Sequence, residues 1–353
     1  MRKIEIFLLF IEDEEQLREN LKKEAEIFNE TEEKIHITPT VVSSIAEAKE
    51  ALRTLRFDLI ITDLKIEAGT PEQDAVSIGN EFIRELKKIS PCPIAILTGK
   101  PSDVDATSLD PSSMANFVKD SEAEANIFNW MKTKLPLIEL MRDSYSLLNT
   151  ELAPLFHGGV ASRICSEKSV IPPDSALRII LENVADSILT VNSTTKCHPQ
   201  ESYIFPVIRD RLMTGDLISH SNETWVVLTP ACDIVRCDAK YKILLAKCRG
   251  NDRYERYLEQ AKKGDFNSLT GLINQGNSTK NHFLPPLDKG SAPYMVDFED
   301  LLTVQYEELE PKSIIAAISP KFLPNLVHRF SAYLGRPGAP DIDTQHCLEH
   351  SQK

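Results

Sequence analysis

Polar and charged residues stand where apolar runs end. The run Leu59–Ile60–Ile61–Thr62 closes on Asp63, and "IFLLFI" at residues 6–11 closes on Glu12 and Asp13. "IAILT" at 94–98 finishes with Thr98, and "NFVK" at 116–119 with Lys119. A carboxylate is costly to bury and poor in strands, so its place at the end of so apolar a run calls for a chemical reason. Three carboxylates brought to one edge would repel strongly unless a hard dication sat among them. Mg2+ suits best, because it accepts a few carboxylates and keeps several waters. Lys119 would add a second positive charge and Thr98 a hydroxyl donor. The bland alternative is that these are solvated strand ends and helix caps, with Asp13 or Glu14 capping a first helix.

What must position these groups is a run of alternating elements. "IEIFLLF", "KIHITPTVV", "FDLIITD", "CPIAILTGK" and "MANFVKD" read as five strands, the first of them a strand and not a secretion signal. Between them "EEQLRENLKKEAEIFNE", "SSIAEAKEALRTL" (with Ser44 as cap) and "GNEFIRELKKI" carry helical spacing, and "EAEANIFNWMKTKL" closes the series. Strand–helix alternation at this spacing implies an α/β fold, a doubly wound five-stranded parallel sheet with helices on both faces. Such sheets bind ligands beyond the carboxyl ends of their strands, where these residues lie.

The constellation "ED" … "D" … "T" … "K" at successive strand ends resembles the receiver domain of two-component response regulators, over residues 1–135. The resemblance implies that Asp63 accepts a phosphoryl group from a phosphohistidine on a partner histidine kinase. It implies that Glu12, Asp13 and Asp63 hold Mg2+ with the backbone carbonyl of Lys65, and that Thr98 and Lys119 bind the phosphoryl oxygens. Several positions depart from the pattern: Asn116 stands at the aromatic switch position beside Phe117, and Asp120 follows the lysine in place of proline. The loop after Asp63 is long, and "PSDVDATSLDPSSM" hardly reads as a fourth helix.

Composition narrows the class. The 353 residues are 42% hydrophobic and 26% charged, as in an ordinary globular protein. "IFLLFI" is the longest apolar run, too short for a bilayer, so no membrane role is expected. Seven scattered cysteines without a Cys-x-x-Cys pair fit a reducing cytoplasm. Residues 1–140 carry 17 Lys and Arg against 27 Asp and Glu, a net −10 of the chain's −13. That acidity gives no argument for DNA binding; RNA is left open.

Pro136 is expected to interrupt the helical pattern, with a helical linker region over 136–200. Residues 201–340 change texture to short β-like runs with a helical insertion near 251–275, a mostly β module in which "GDLISHSNETWVVLTPACDIV" reads as a hairpin turning at Ser221–Asn222. "PNLVHRFSAYLGRPG" reads as a terminal helix carrying His328 as a packing residue, followed by a frayed polar tail over 341–353. "GDL…VVLTPACD", "HFLPP", "VDF" and "RFSAYLGRPG" are weakly similar to bacterial proteins that join an atypical receiver to a small β-barrel-like module, encoded beside histidine-kinase-like ATPases and suspected of antiphage defence. The hairpin also resembles the opening of SH3-like-barrel ribonuclease toxins.

Three outputs follow from these readings. The first is a signalling protein relaying phosphorylation of Asp63. The second is a receiver-gated nuclease using Arg209, Arg211 and Arg329 for phosphate. The third is a binding module for a kinase-like ATPase, with a docking or homodimer face on 137–156. Cys232 could be a catalytic thiol, a zinc ligand with Cys237, Cys248 and His220, or an ordinary strand residue.

Overall fold

The computed structural model describes residues 3–66, 71–160, 171–191, 196–236, 241–276, 278–309, 313–338, 340–341 and 343–351. The chain divides into two compact units, Met1–Asn192 and Ser193–Lys353.

In the first unit five parallel strands, β1 (Ile4–Ile11), β2 (Ile35–Val42), β3 (Leu59–Asp63), β4 (Ile94–Thr98) and β5 (Met114–Val118), lie in the order β2-β1-β3-β4-β5. This is a doubly wound, receiver-like order. The register sets Phe10 beside Ile61, Ile61 beside Ala95 and Leu97 beside Phe117. The carboxyl ends of β1, β3, β4 and β5 therefore reach one edge together. The period of two divides β1 cleanly: Leu8 and Phe10 pack with α1 (Glu15–Thr31) and α4 (Ala123–Leu155), whereas Leu9 and Ile11 pack with α2 (Ile45–Thr54) and α3 (Glu72–Ile89). Ser44 caps α2 as expected, accepting from the Glu47 amide at 3.2 Å. Between β4 and β5 the chain forms only two 3-10 turns, Pro101–Asp103 and Ala106–Ser108.

Pro136 does not break the helix. α4 runs through it for 33 residues. Proline removes one backbone hydrogen bond and crowds the preceding turn. Here it sits on the exposed side, while Met131 and Ile138 on either side of it are buried in the core. Arg142 then ties the helix to the opposite end of the sheet, donating to both Asp58 carboxylate oxygens and to the Glu5 carbonyl. Packing outweighs the lost bond. Beyond a π-type turn at Phe156–Val160, α5 (Pro173–Val191) returns alongside α4.

The second unit is a seven-stranded antiparallel sheet, β10-β11-β9-β8-β7-β12-β6. Its strands are β6 (Tyr203–Ile204), β7 (Asp216–His220), β8 (Glu223–Val227), β9 (Lys242–Gly250), β10 (Asn281–Leu284), β11 (Tyr294–Gln305) and β12 (Ile314–Ile318). The hairpin β7–β8 turns at Ser221 and Asn222, both with positive φ (52° and 61°), the backbone that a two-residue hairpin loop requires. A short helix, α6 (Ala231–Ile234), follows β8, and the insertion after β9 is a helix pair, α7 (Tyr254–Lys262) and α8 (Asn267–Ile273). After β12, α9 (Leu323–Leu334) ends at Gly335. The tail is not frayed throughout: α10 (Thr344–Ser351) forms there, with no buried residue.

Candidate functional site

The sheet edge collects the expected residues. Ligand oxygens of Glu12, Asp13 and Asp63 lie within 4.8 Å of one another, the one such group of possible metal ligands among the described residues. The Lys119 ammonium bridges two of them, 2.8 Å from Glu12 Oε2 and 3.0 Å from Asp63 Oδ2. Thr98 ends β4 fully buried, and its carbonyl accepts from the Lys119 amide at 3.0 Å. Its hydroxyl accepts from the Lys100 amide at 3.2 Å. Asp63 is only 5% accessible, and Glu12 is fully buried. Helix capping does not explain the acids, because Glu14 is the N-cap of α1 without any side-chain cap bond.

Charge balance defines what the site lacks. Three carboxylates against one ammonium leave two negative charges in a poorly solvated rim. Two like charges at about 4 Å cost about 4 kcal/mol at an effective dielectric of 20. Burial first, and then the Asp63 charge, push Glu12 up to about 7 in spite of its Lys119 hydrogen bond, so the rim takes up a proton more readily than separate carboxylates would. Burial alone would lower the Lys119 ammonium, but its hydrogen bond to Glu12 and the charge of Asp63 hold it above the usual lysine range. A dication would supply the missing two charges, and the all-oxygen donor set fits Mg2+.

Four residues with no assigned role in the sequence reading hold this rim in place. Arg18, one turn into α1, donates to the carbonyls of both Glu12 and Asp13 at 2.7 Å, which fixes the turn that presents them. Gly79 in α3 lets the helix approach the chain just past Asp63. Asn80 donates to the Asp103 carbonyl at 3.0 Å and accepts from the Asp105 amide at 2.8 Å, pinning the 3-10 segment to α3. Asp103 in turn lies 3.6 Å from the Lys65 ammonium and 3.3 Å from that of Lys100. Gly79 stood in the sequence only as the first residue of the helical run; α3 begins seven residues earlier, at Glu72, which puts the glycine inside the helix, where it costs about 1 kcal/mol without a packing reason. Asn116 is exposed, and Phe117 is turned into the core, edge-on to Trp130 at 5.8 Å.

The second unit brings together few of its candidates. Arg209 pairs with the fully buried Asp216, whose carboxylate also accepts from the Met213 amide at 2.7 Å. Arg329 donates to the carbonyls of Ser278 and Asn281. Neither arginine is placed to await phosphate. Cys232 is exposed, 3.7 Å from Asp233 Oδ1, and Cys248 is buried, which pushes its thiol up. Cys237 lies outside the described residues. His328 is exposed, and the buried histidine is His282, held neutral down to about 3 by burial and the nearby Arg329.

No family model matches the chain, and no curated protein matches it. Among solved structures it is similar to a response regulator receiver domain protein of Clostridium thermocellum, at 21% identity and a TM-score of 0.31 over 38% of this chain and 98% of that one. A response regulator of Thermotoga maritima in complex with Mg2+-BeF matches at 22% and 0.28, over 37% and 99%. A signal receiver domain of an HD-domain protein from Pseudomonas fluorescens matches at 13% and 0.28, over 39% and 98%. No described helix is long and apolar enough to cross a membrane.

Proposed function

We propose that the first unit is a phosphoryl-accepting receiver of a two-component-type signalling protein, with Asp63 as nucleophile. The observation that carries the reading is the Lys119 ammonium set between Glu12 and Asp63, with Asp13 completing a divalent donor set. Mg2+, held by Glu12, Asp13, Asp63 and the Lys65 carbonyl, would neutralise charge on the group being transferred. A carboxylate oxygen of Asp63 attacks the phosphorus of a phosphohistidine; the P–N bond breaks, the imidazole leaves with the electron pair, and an acyl phosphate remains. Lys119 and the Thr98 hydroxyl bind the phosphoryl oxygens. Arg18 holds the acidic turn still while charge accumulates beside it.

The donor in this reading is a cytoplasmic histidine-kinase-like ATPase, and the second unit is a non-DNA-binding output module. Antiphage defence is the setting suggested by the weak C-terminal resemblance. The test is phosphoryl incorporation from acetyl phosphate or the kinase, with Mg2+ present. Incorporation should be acid-stable, hydroxylamine-labile and absent in Asp63→Asn. Incorporation that survives Asp63→Asn, or that never occurs in the wild type, refutes the proposal.

A further inference from the structure

The far end of α4 and the returning α5 form a helical hairpin whose apolar surface exceeds what two helices can bury. On α5, Ala176, Ile180, Val184 and Ser187 turn inward; Ala176 and Val184 are buried, and Ser187 bonds Glu151 of α4. The charged residues of its middle turns, Arg178, Glu182 and Asp186, fall at i, i+4 and i+8 and make a single polar stripe. A helix in contact with one neighbour needs one apolar stripe and carries polar residues over the rest. Here Leu177 and Leu181 form a second apolar row, flanking the inward face and 56% exposed.

α4 shows the same excess. From residue 144 to 156 the only charged side chain is Glu151, and it is bonded to α5. Leu147, Leu148, Leu152 and the following Phe156 are 36–60% exposed. An apolar groove lined by Leu152, Leu155, Phe156 and Ile180 continues the surface between the two helices.

These observations point to a second copy of this chain as the occupant. We propose that the hairpins of two copies pack face to face into a four-helix bundle. The six large exposed side chains just named present roughly 550 Å² of apolar surface, against the about 520 Å² that follows from about 800 Å² per partner at about 65% apolar in a homodimer. The same surface stands on both copies, so a two-fold axis satisfies both helices of each at once. The dimer does not depend on the phosphoryl-transfer reading, and Asp63→Asn must leave it intact.

Light scattering on the full-length chain eluting from a sizing column tests this. At micromolar concentration the wild type should show twice the chain mass. The double variant Leu148→Lys/Leu181→Lys should associate about a hundredfold more weakly, and so run as a monomer. Leu55→Lys, which alters an exposed leucine just past α2, should remain dimeric. A wild type that is monomeric across the micromolar range overturns the proposal, and would mean that the face is covered within one chain or by another protein. A folded double variant that still dimerises overturns it equally. If the double variant does not fold, the wild-type mass and the single change Leu177→Gln decide.

Discussion

Gly79 of α3 stands against the carbonyl oxygen of Leu64, the residue after Asp63, so closely that a Cβ on Gly79 would lie 1.8 Å from that oxygen. The position of Asp63, the proposed nucleophile, is thereby tied to a helix residue sixteen positions away. Gly79→Ala should gain up to about 1 kcal/mol of helix propensity and lose more, because overpacking costs about 1–3 kcal/mol. The net effect should be destabilising, and the Leu64–Lys65 segment should shift. Urea unfolding should show the loss, and titration with Mg2+ should show weakened binding, since the Lys65 carbonyl is a proposed ligand.

Metal binding should depend on pH through Glu12. Its carboxyl is raised from 4.5 to about 7, so near neutrality Mg2+ must displace a proton. Apparent affinity should rise as pH increases toward about 7 and level off above it. Stability without metal runs the other way. A raised carboxyl contributes stability that is fully present below 4.5 and is lost as pH rises through about 7. Calorimetric titrations and metal-free melting curves at pH 5.5 and 8 check both signs. A Mg2+ affinity that is flat over this interval contradicts the raised carboxyl of Glu12.

Lys119→Met removes the ammonium that bridges Glu12 and Asp63. Breaking a buried pair by deleting one partner costs about 3–5 kcal/mol. Glu12 can relieve part of that by staying protonated, so the loss should be larger at pH 8 than at pH 5.5. Added Mg2+ should restore more stability to this variant than to the wild type, because it replaces missing positive charge. Denaturant midpoints at the two pH values, with and without the ion, measure the difference.

In the second unit Arg209→Met should leave the Asp216 side chain buried with a single backbone donor. The expected loss is again about 3–5 kcal/mol. It should appear in hydrogen exchange of β7 and β12, with the amides of β1 and β3 unaffected. Uniform loss of protection in both units would mean that the two unfold together.

Much of the first unit was legible because its signals are local. Strand ends, the period of two in β1 and the serine cap of α2 follow from neighbouring residues. So does the hairpin at Ser221–Asn222, where residue type sets the backbone. Other features depended on contacts distant in sequence. Pro136 read as a helix end because a local rule forbids it, and only the buried Met131 and Ile138 on both sides override that rule. Arg18 and Asn80 act on backbone groups, which no spacing pattern marks. Arg209 and Arg329 looked available for phosphate only because their carboxylate and carbonyl partners could not be seen from sequence.

α4 begins four residues after Lys119 and is clamped again by Arg142 at the opposite end of the sheet, so it works as a strut between two fixed points. Helical backbone resists bending where its ladder of bonds is complete, and at Pro136 one rung is missing. Any strain that the rim imposes on the start of the strut should therefore be taken up as a bend at that joint, between the two clamps, and should stop short of the leucine-rich end.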